Sequence, residues 1–234
     1  WVEIRGVTVT RAEQSGILVQ GGSSNLTLTD NKVTFCFSYG VQVDGGAAHR
    51  VGANTVSDNG DHGIVVSGNA TGCRIEDNEC FRNIYPDQRR ANGIHCVGAS
   101  SNRFERNRLH DNDDSGLELQ TGANNNLCTQ NMSWNNGDHG FDQAQATGNV
   151  HIWDVACSNA RDGFSVQSNA TGTRLIDCIA VDNGVSTSRY DLHVDTGSTS
   201  GFVSDYNVFW NAAGNVPVSY GDKVYTSVAG YATA

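Results

Sequence analysis

Apolar residues in this chain alternate with polar ones, and they do so in step with glycine. A Gly followed by an apolar–x–apolar triplet recurs at Gly16-Ile-Leu-Val, Gly40-Val-Gln-Val, Gly63-Ile-Val-Val, Gly93-Ile-His-Cys and Gly116-Leu-Glu-Leu. It continues at Gly140-Phe-Asp-Gln and Gly163-Phe-Ser-Val, with a degenerate copy at Asp191-Leu-His-Val. The intervals are 24, 23, 30, 23, 24, 23 and 28 residues. Between anchors runs a second module: an apolar strand, an Asn, an alternating strand and a second Asn, as in Asn78-Glu-Cys-Phe-Arg-Asn83 and Asn107-Arg-Leu-His-Asp-Asn112. Period-two alternation punctuated by Gly and Asn, with no helical spacing, predicts short strands.

A unit this small cannot bury its own apolar face, so units must stack. The Leu-rich signature of leucine-rich repeats is missing. The arrangement that fits is all-β: a right-handed parallel β-helix of about eight or nine turns, ~23–24 residues each, with residues 1–234 as one domain. Asparagines at equivalent corners are expected to adopt left-handed backbone geometry and to bond along a ladder to the next turn.

Composition agrees with this picture. The chain holds 27 Gly and 24 Asn but only 2 Pro and 2 Lys, and both abundant residues are poor helix formers. No apolar run approaches the ~20 residues of a membrane span, and no signal peptide is recognisable. Trp1-Val2-Glu3-Ile4 reads as mid-strand, so a mature or trimmed piece is expected. A net charge of −10 excludes a sequence-independent nucleic-acid binder but not an anionic substrate, since a bound cation inverts the local field.

Alternation on the anchor strand sets side-chain direction. Positions one and three after the Gly point inward, as at Ile64 and Val66 or Leu117 and Leu119. Position two points outward and reads Leu18, Gln42, Val65, His95, Glu118, Asp142, Ser165, His193 down the stack. Parallel strands lie about 4.8 Å apart, which makes Glu118 and Asp142 neighbours, with Asp114, Asp138 and Asp162 crowding the same edge. Such an edge is either a solvated acidic surface or a metal or catalytic cluster, because stacked carboxylates repel unless compensated. Two insertions leave one corner, between Asn83 and Gly93 and between Asn183 and Asp191, roughly 19 Å apart by strand spacing. They would wall a groove, with Tyr85, Arg89, Arg90, Arg189 and Tyr190 available for sugar stacking and anion contacts, and His95 and His193 on its floor.

Asp-His-Gly occurs at 61–63 and 138–140. His139, beside Asp142, is a candidate for proton transfer, whereas His62 is expected to be a duplicated turn residue. His151 aligns with inward Ile75 and Leu175 and reads as a core residue. The seven Cys form no Cys-x-x-Cys, which gives no zinc or redox signature, and Cys36 and Cys178 fall where ladder Asn is expected.

These residues resemble the right-handed β-helix repeat proteins of carbohydrate metabolism, among them pectate lyases, alginate lyases, mannuronan C5-epimerases and several glycoside hydrolases. Asp138-His-Gly-Phe-Asp142 is similar to the Asp-Asp-Gly-Trp-Asp segment of family 9 pectate lyases, whose aspartates hold catalytic calcium. His139 stands in place of the middle Asp, and the family's catalytic Lys has no counterpart, since Lys32 and Lys223 lie far from the cluster. Gly140-Phe-Asp142 with Ser188-Arg-Tyr-Asp-Leu-His193 resembles segments of mannuronan epimerases, without their Pro-His pair.

The resemblance implies a secreted bacterial enzyme, monomeric and without a membrane span, that cleaves an acidic polysaccharide by β-elimination. Asp138, Asp142, Asp114 and Asp162 would hold Ca²⁺, His139 or Arg161 would take the C5 proton, and Tyr190 would protonate the leaving oxygen. A C5-epimerase would differ in reprotonating the opposite face. Glu118 and Asp142 as paired carboxylates define a glycoside hydrolase alternative. A non-catalytic glycan-binding or stalk module is the reading from another class.

Overall fold

The structure is a computed structural model that describes residues 2–187, 189–212 and 217–232. Trp1 and Ser188 lie outside the described residues. The chain coils as a right-handed parallel β-solenoid. Its first sheet runs from Val2–Arg5 to Val203–Asp205 and its second from Thr8–Thr10 to Val208–Trp210, nine strands each. The third has ten strands, from Ile17–Gln20 through the anchor strands to Val218–Tyr220, where Lys223–Tyr225 pairs antiparallel and ends the stack. Among the described residues, no helix is long and apolar enough to cross a membrane.

Register follows the repeat. Ile64, Ile94, Leu117, Phe141, Phe164 and Leu192 stack as Cα partners on successive turns and are all buried. The anchor glycines are required by close approach rather than by backbone angle. A Cβ at Gly93 would lie 2.7 Å from the Gly116 carbonyl oxygen and 2.9 Å from Asn112 Nδ2.

The ladders exist, but the division of labour at each corner differs from the expectation. The residue in the left-handed region is the one before the ladder Asn: Asp77 (φ 57°) before Asn78, Arg82 (φ 50°) before Asn83, Arg106 (φ 53°) before Asn107. The bend therefore falls on a residue whose side chain can point to solvent. The Asn that follows turns inward, where its amide satisfies backbone that the corner leaves unpaired. Asn54 shows the pattern: its Nδ2 donates to the Leu28 carbonyl at 3.0 Å and to Asn78 Oδ1 at 2.9 Å, and its backbone N–H donates to the same Oδ1 at 3.1 Å. Cys36 and Cys178 do occupy ladder positions, accepting the place of Asn above Asn59 and Asn207.

Candidate active site

Chemistry-bearing residues fall into three columns along the start of the third sheet. One is position two of each anchor strand; the others are the two residues before each anchor. The column just before the anchor is held rigidly, because each carbonyl in it accepts the anchor N–H of the turn above: Gly40 N to His62 O at 3.1 Å, Gly63 N to Asn92 O at 2.9 Å, Gly116 N to His139 O at 3.0 Å. Position two points away from the core as expected, and its exposure varies along the stack: Leu18 is exposed, while Gln42, His95, Glu118 and His193 are half-buried. Val65, Asp142 and Ser165 are buried.

A hydrogen-bond chain crosses these columns. The Asn92 backbone N–H donates to His62 Nδ1 at 3.0 Å, so that nitrogen carries no proton. The ring proton then sits on His62 Nε2, 3.1 Å from His95 Nδ1, which must accept it. His95 in turn carries its proton on Nε2, 3.6 Å from Glu118 Oε2. One fixed main-chain donor thus sets two tautomers, and it leaves the His95 Nε2–H buried without a hydrogen-bond partner. Asn92 Nδ2 donates to the same Glu118 oxygen at 2.7 Å. The Tyr39 ring stacks on His62 at 5.5 Å. Tyr39, Gln42, Arg90, His95 and Glu118 share in lining a cavity of about 410 Å³.

Burial, followed by the charge of Asp142, raises the Glu118 carboxyl to about 7 against the opposing Asn92 bond. Burial lowers His95 to about 4, and burial with the neighbouring His95 and Arg90 holds His62 well below its usual value. Near neutral pH both rings are uncharged, while Glu118 is divided between acid and carboxylate.

The carboxylates further along are already engaged. Asp142 is buried, and both its oxygens accept the Gln167 amide, at 2.9 and 3.1 Å. The one amide nitrogen thus orients both oxygens of the carboxylate beside Glu118. Asp138 is held by Arg89 at 3.1 Å and Arg161 at 3.3 Å. Arg89 also lies 3.6 Å from Asp114 and donates to the Gly137 carbonyl at 3.2 Å. Burial and the adjacent Asp138 push Asp114 well above the carboxylate range.

His139 is buried. Desolvation would lower it, but the bond to Asp162 and the charges of Asp142, Asp138 and Asp162 prevail and raise it to about 9. As a cation its Nδ1–H faces Asp162 Oδ2 at 3.3 Å; as a neutral ring it accepts the Asp162 N–H at 3.2 Å. Burial works against the Asp162 anion, yet the His139 bond and the Tyr190 N–H at 2.9 Å hold that carboxyl below its usual range.

The four aspartates therefore do not fit a calcium ion, which takes six to eight oxygens. Arg89 occupies the position between Asp114 and Asp138, and among the described residues these aspartates form no group of three donors within 4.8 Å. The remaining expected residues divide between the two ends. Arg90 pairs with Asp61, and its guanidinium lies 3.6 Å over the Tyr85 ring. Tyr190 stacks on His193 at 5.7 Å, and the backbone N–H of Arg189 donates to Gly184 O at 3.1 Å. The first insertion is not a free wall, since Arg89 carries it across the Asp114 and Asp138 turns.

The sequence reading missed Tyr39, Asp61, Asn92 and Gln167, and it discounted His62. The signal available was the column before each anchor, which reads Tyr39, His62, Asn92, Ser115, His139, Asp162, Tyr190. It carries more chemistry than position two.

A parallel β-solenoid with a polar, partly buried cleft along one sheet is the class that fold and site define. The chain belongs to the right-handed β-helix region family, whose model matches residues 2–80 and 53–206. It is similar in structure to a mutant of the periplasmic alginate epimerase AlgG, at a TM-score of 0.72 and 16% identity, over 87% of this chain and 50% of that one. The chain thus spans about half the length of that epimerase. It is also similar to the A-module of the Azotobacter vinelandii mannuronan C-5 epimerase AlgE6, at 0.70 and 15% over 91% of this chain and 69% of that one. The pectate lyase Pel9A aligns at 0.64 and 19% over 87% and 56%. No curated protein matches in sequence. At these identities the likeness is one of fold.

Proposed function

We propose that the chain is the catalytic β-helix of a polysaccharide-active enzyme that removes the C5 proton of a uronate unit and cleaves the glycan by β-elimination. The observation that carries this reading is Glu118: a carboxyl held at about 7, facing a cavity, with the His95 Nε2–H set 3.6 Å away by a fixed tautomer chain. A base poised near the working pH is what abstraction of a weakly acidic proton needs.

In this scheme the Glu118 carboxylate takes the C5 proton. The electron pair moves to form the C4–C5 double bond as the C4–O bond breaks, and protonated Glu118 returns its proton to the leaving oxygen on the same face. The Asn92 amide, donating at 2.7 Å, holds the Glu118 carboxylate in line, with His95 Nε2 3.6 Å away. Arg90, which lines the same cavity as Glu118, supplies the positive charge that faces the substrate carboxylate. No step passes through calcium. The names of the similar structures support a uronate polymer as substrate and a site of action outside the cytoplasm. They equally support a second reading, C5 epimerisation, in which the proton returns to carbon instead of to the leaving oxygen.

The test is incubation with a panel of polyuronates and neutral glycans, with and without EDTA, following unsaturated-uronate absorbance and reducing ends together. The expected result is both signals on a polyuronate at a rate that EDTA leaves unchanged. Reducing ends without absorbance would replace elimination by hydrolysis, and abolition by EDTA would restore a metal to the mechanism.

A further inference from the structure

Inside the solenoid, away from the cleft, the ladder between the first and second sheets changes chemistry. It runs Asn31, Asn54, Asn78, Asn107, Asn131, then becomes Asp154 and Cys178 before returning to Asn207. The core column beside it departs at the same level. Ile75 and Phe104 are followed in register by Cys128 and His151, and then Leu175. Cys128, His151 and Asp154 are fully buried, and each brings a ligand-type atom within 4.8 Å of the other two. Sequence spacing gives no sign of this, because the three residues come from two turns and contain no Cys-x-x-Cys.

Hydrogen bonds alone leave the cluster unbalanced. Asp154 Oδ1 accepts the Asn131 backbone N–H at 2.7 Å and its Nδ2 at 3.0 Å, while Oδ2 pairs with His151 Nδ1 at 2.7 Å. His151 Nε2 is buried with no hydrogen-bond partner. If His151 is neutral, the carboxylate charge is buried without compensation; if it is a cation, Nε2–H is a buried orphan donor. Either state is costly in a dry interior. A ladder Asn at 154 would have avoided both.

We propose that Cys128, His151 and Asp154 bind a structural zinc ion within the solenoid. Sulfur, imidazole and carboxylate together make a zinc-type donor set, and thiolate with carboxylate balances the ion's two charges. Binding transfers the Cys128 thiol proton to solvent, and His151 ligates as the neutral ring. Cys178, on the next ladder position, donates to the Ile176 carbonyl at 3.4 Å and stands outside the three-donor group. Because the ligands are buried, the ion enters as the chain coils, so it must be supplied during synthesis.

The experiment expresses the full chain in medium supplemented with zinc or with cobalt and measures metal content and absorption after desalting. The expected result is about one metal per chain, with a thiolate-to-cobalt charge-transfer band in the cobalt protein. Cys128→Ser should lose the band and the metal, whereas Cys157→Ser, at the half-exposed thiol, should keep both. A folded wild-type protein free of metal from both media overturns the proposal, as does a Cys128→Ser variant that retains the charge-transfer band. Should Cys128→Ser not fold, the wild-type metal content decides alone.

Discussion

Glu118→Gln is expected to lower turnover by roughly 10²–10⁴-fold, the range for loss of a positioned acid–base group, while the fold persists. The amide keeps the size of the side chain and can still meet Asn92 and His95, but it cannot take a proton. The parent rate should rise through about pH 7 as Glu118 ionises, and the variant should lose that limb. Stability should move the other way. Glu118 has a folded value raised above its unfolded one, so its contribution is complete at low pH and declines as pH climbs through about 7. The variant, spared that ionisation beside Asp142, should gain in melting temperature relative to the parent at pH 8 compared with pH 5. A variant with full turnover, or one destabilised equally at both pH values, would remove Glu118 from its place in the site.

Asn107→Ala should be among the most destabilising small substitutions in the chain. Asn107 is fully buried. Its Oδ1 accepts the Asn78 N–H and Nδ2, both at 3.1 Å, and its own Nδ2 donates to the Ile75 carbonyl at 2.8 Å and to Asn131 Oδ1 at 2.9 Å. Alanine orphans the two Asn78 donors and the Ile75 carbonyl in the interior. At ~1–3 kcal/mol for each unsatisfied group, the loss should reach roughly 3–5 kcal/mol after partial relaxation. Denaturant unfolding of parent and variant measures it. A loss under about 1 kcal/mol would mean that the ladder is decoration on a core held by apolar stacking.

The repeat was legible because its two signals, the anchor Gly and the inward pair, are set by packing that every turn must satisfy. Gly93 and Leu117 carry that information themselves. The corner geometry was less legible. Asp77, Arg82 and Arg106 adopt the left-handed conformation that the sequence suggests for Asn, because the side-chain bonds of the following Asn reward an inward amide more than the bend rewards a tolerant residue. In the site, Glu118 could be placed from alternation alone. The state of its surroundings could not. The Gln167 amide over Asp142, the reach of Arg89 across two turns and the tautomer chain from the Asn92 N–H are all relations between turns. No single repeat contains them. His62 and His139 share a motif and the same backbone bond, yet one is held neutral and the other is pulled toward the cation by its carboxylate neighbours.

Removal of the C5 proton of a uronate is the step that the proposed elimination and the proposed epimerisation share. It is tested most directly by incubating a polyuronate with the protein in D₂O and following C5 by NMR. Either deuterium at C5 of intact polymer or the C4–C5 double bond of cleaved polymer should appear with the parent, and both should fall together in Glu118→Gln. A folded parent that leaves the C5 proton in place on every polyuronate offered, or a Glu118→Gln variant that exchanges it as fast as the parent, would rule out Glu118-driven proton removal.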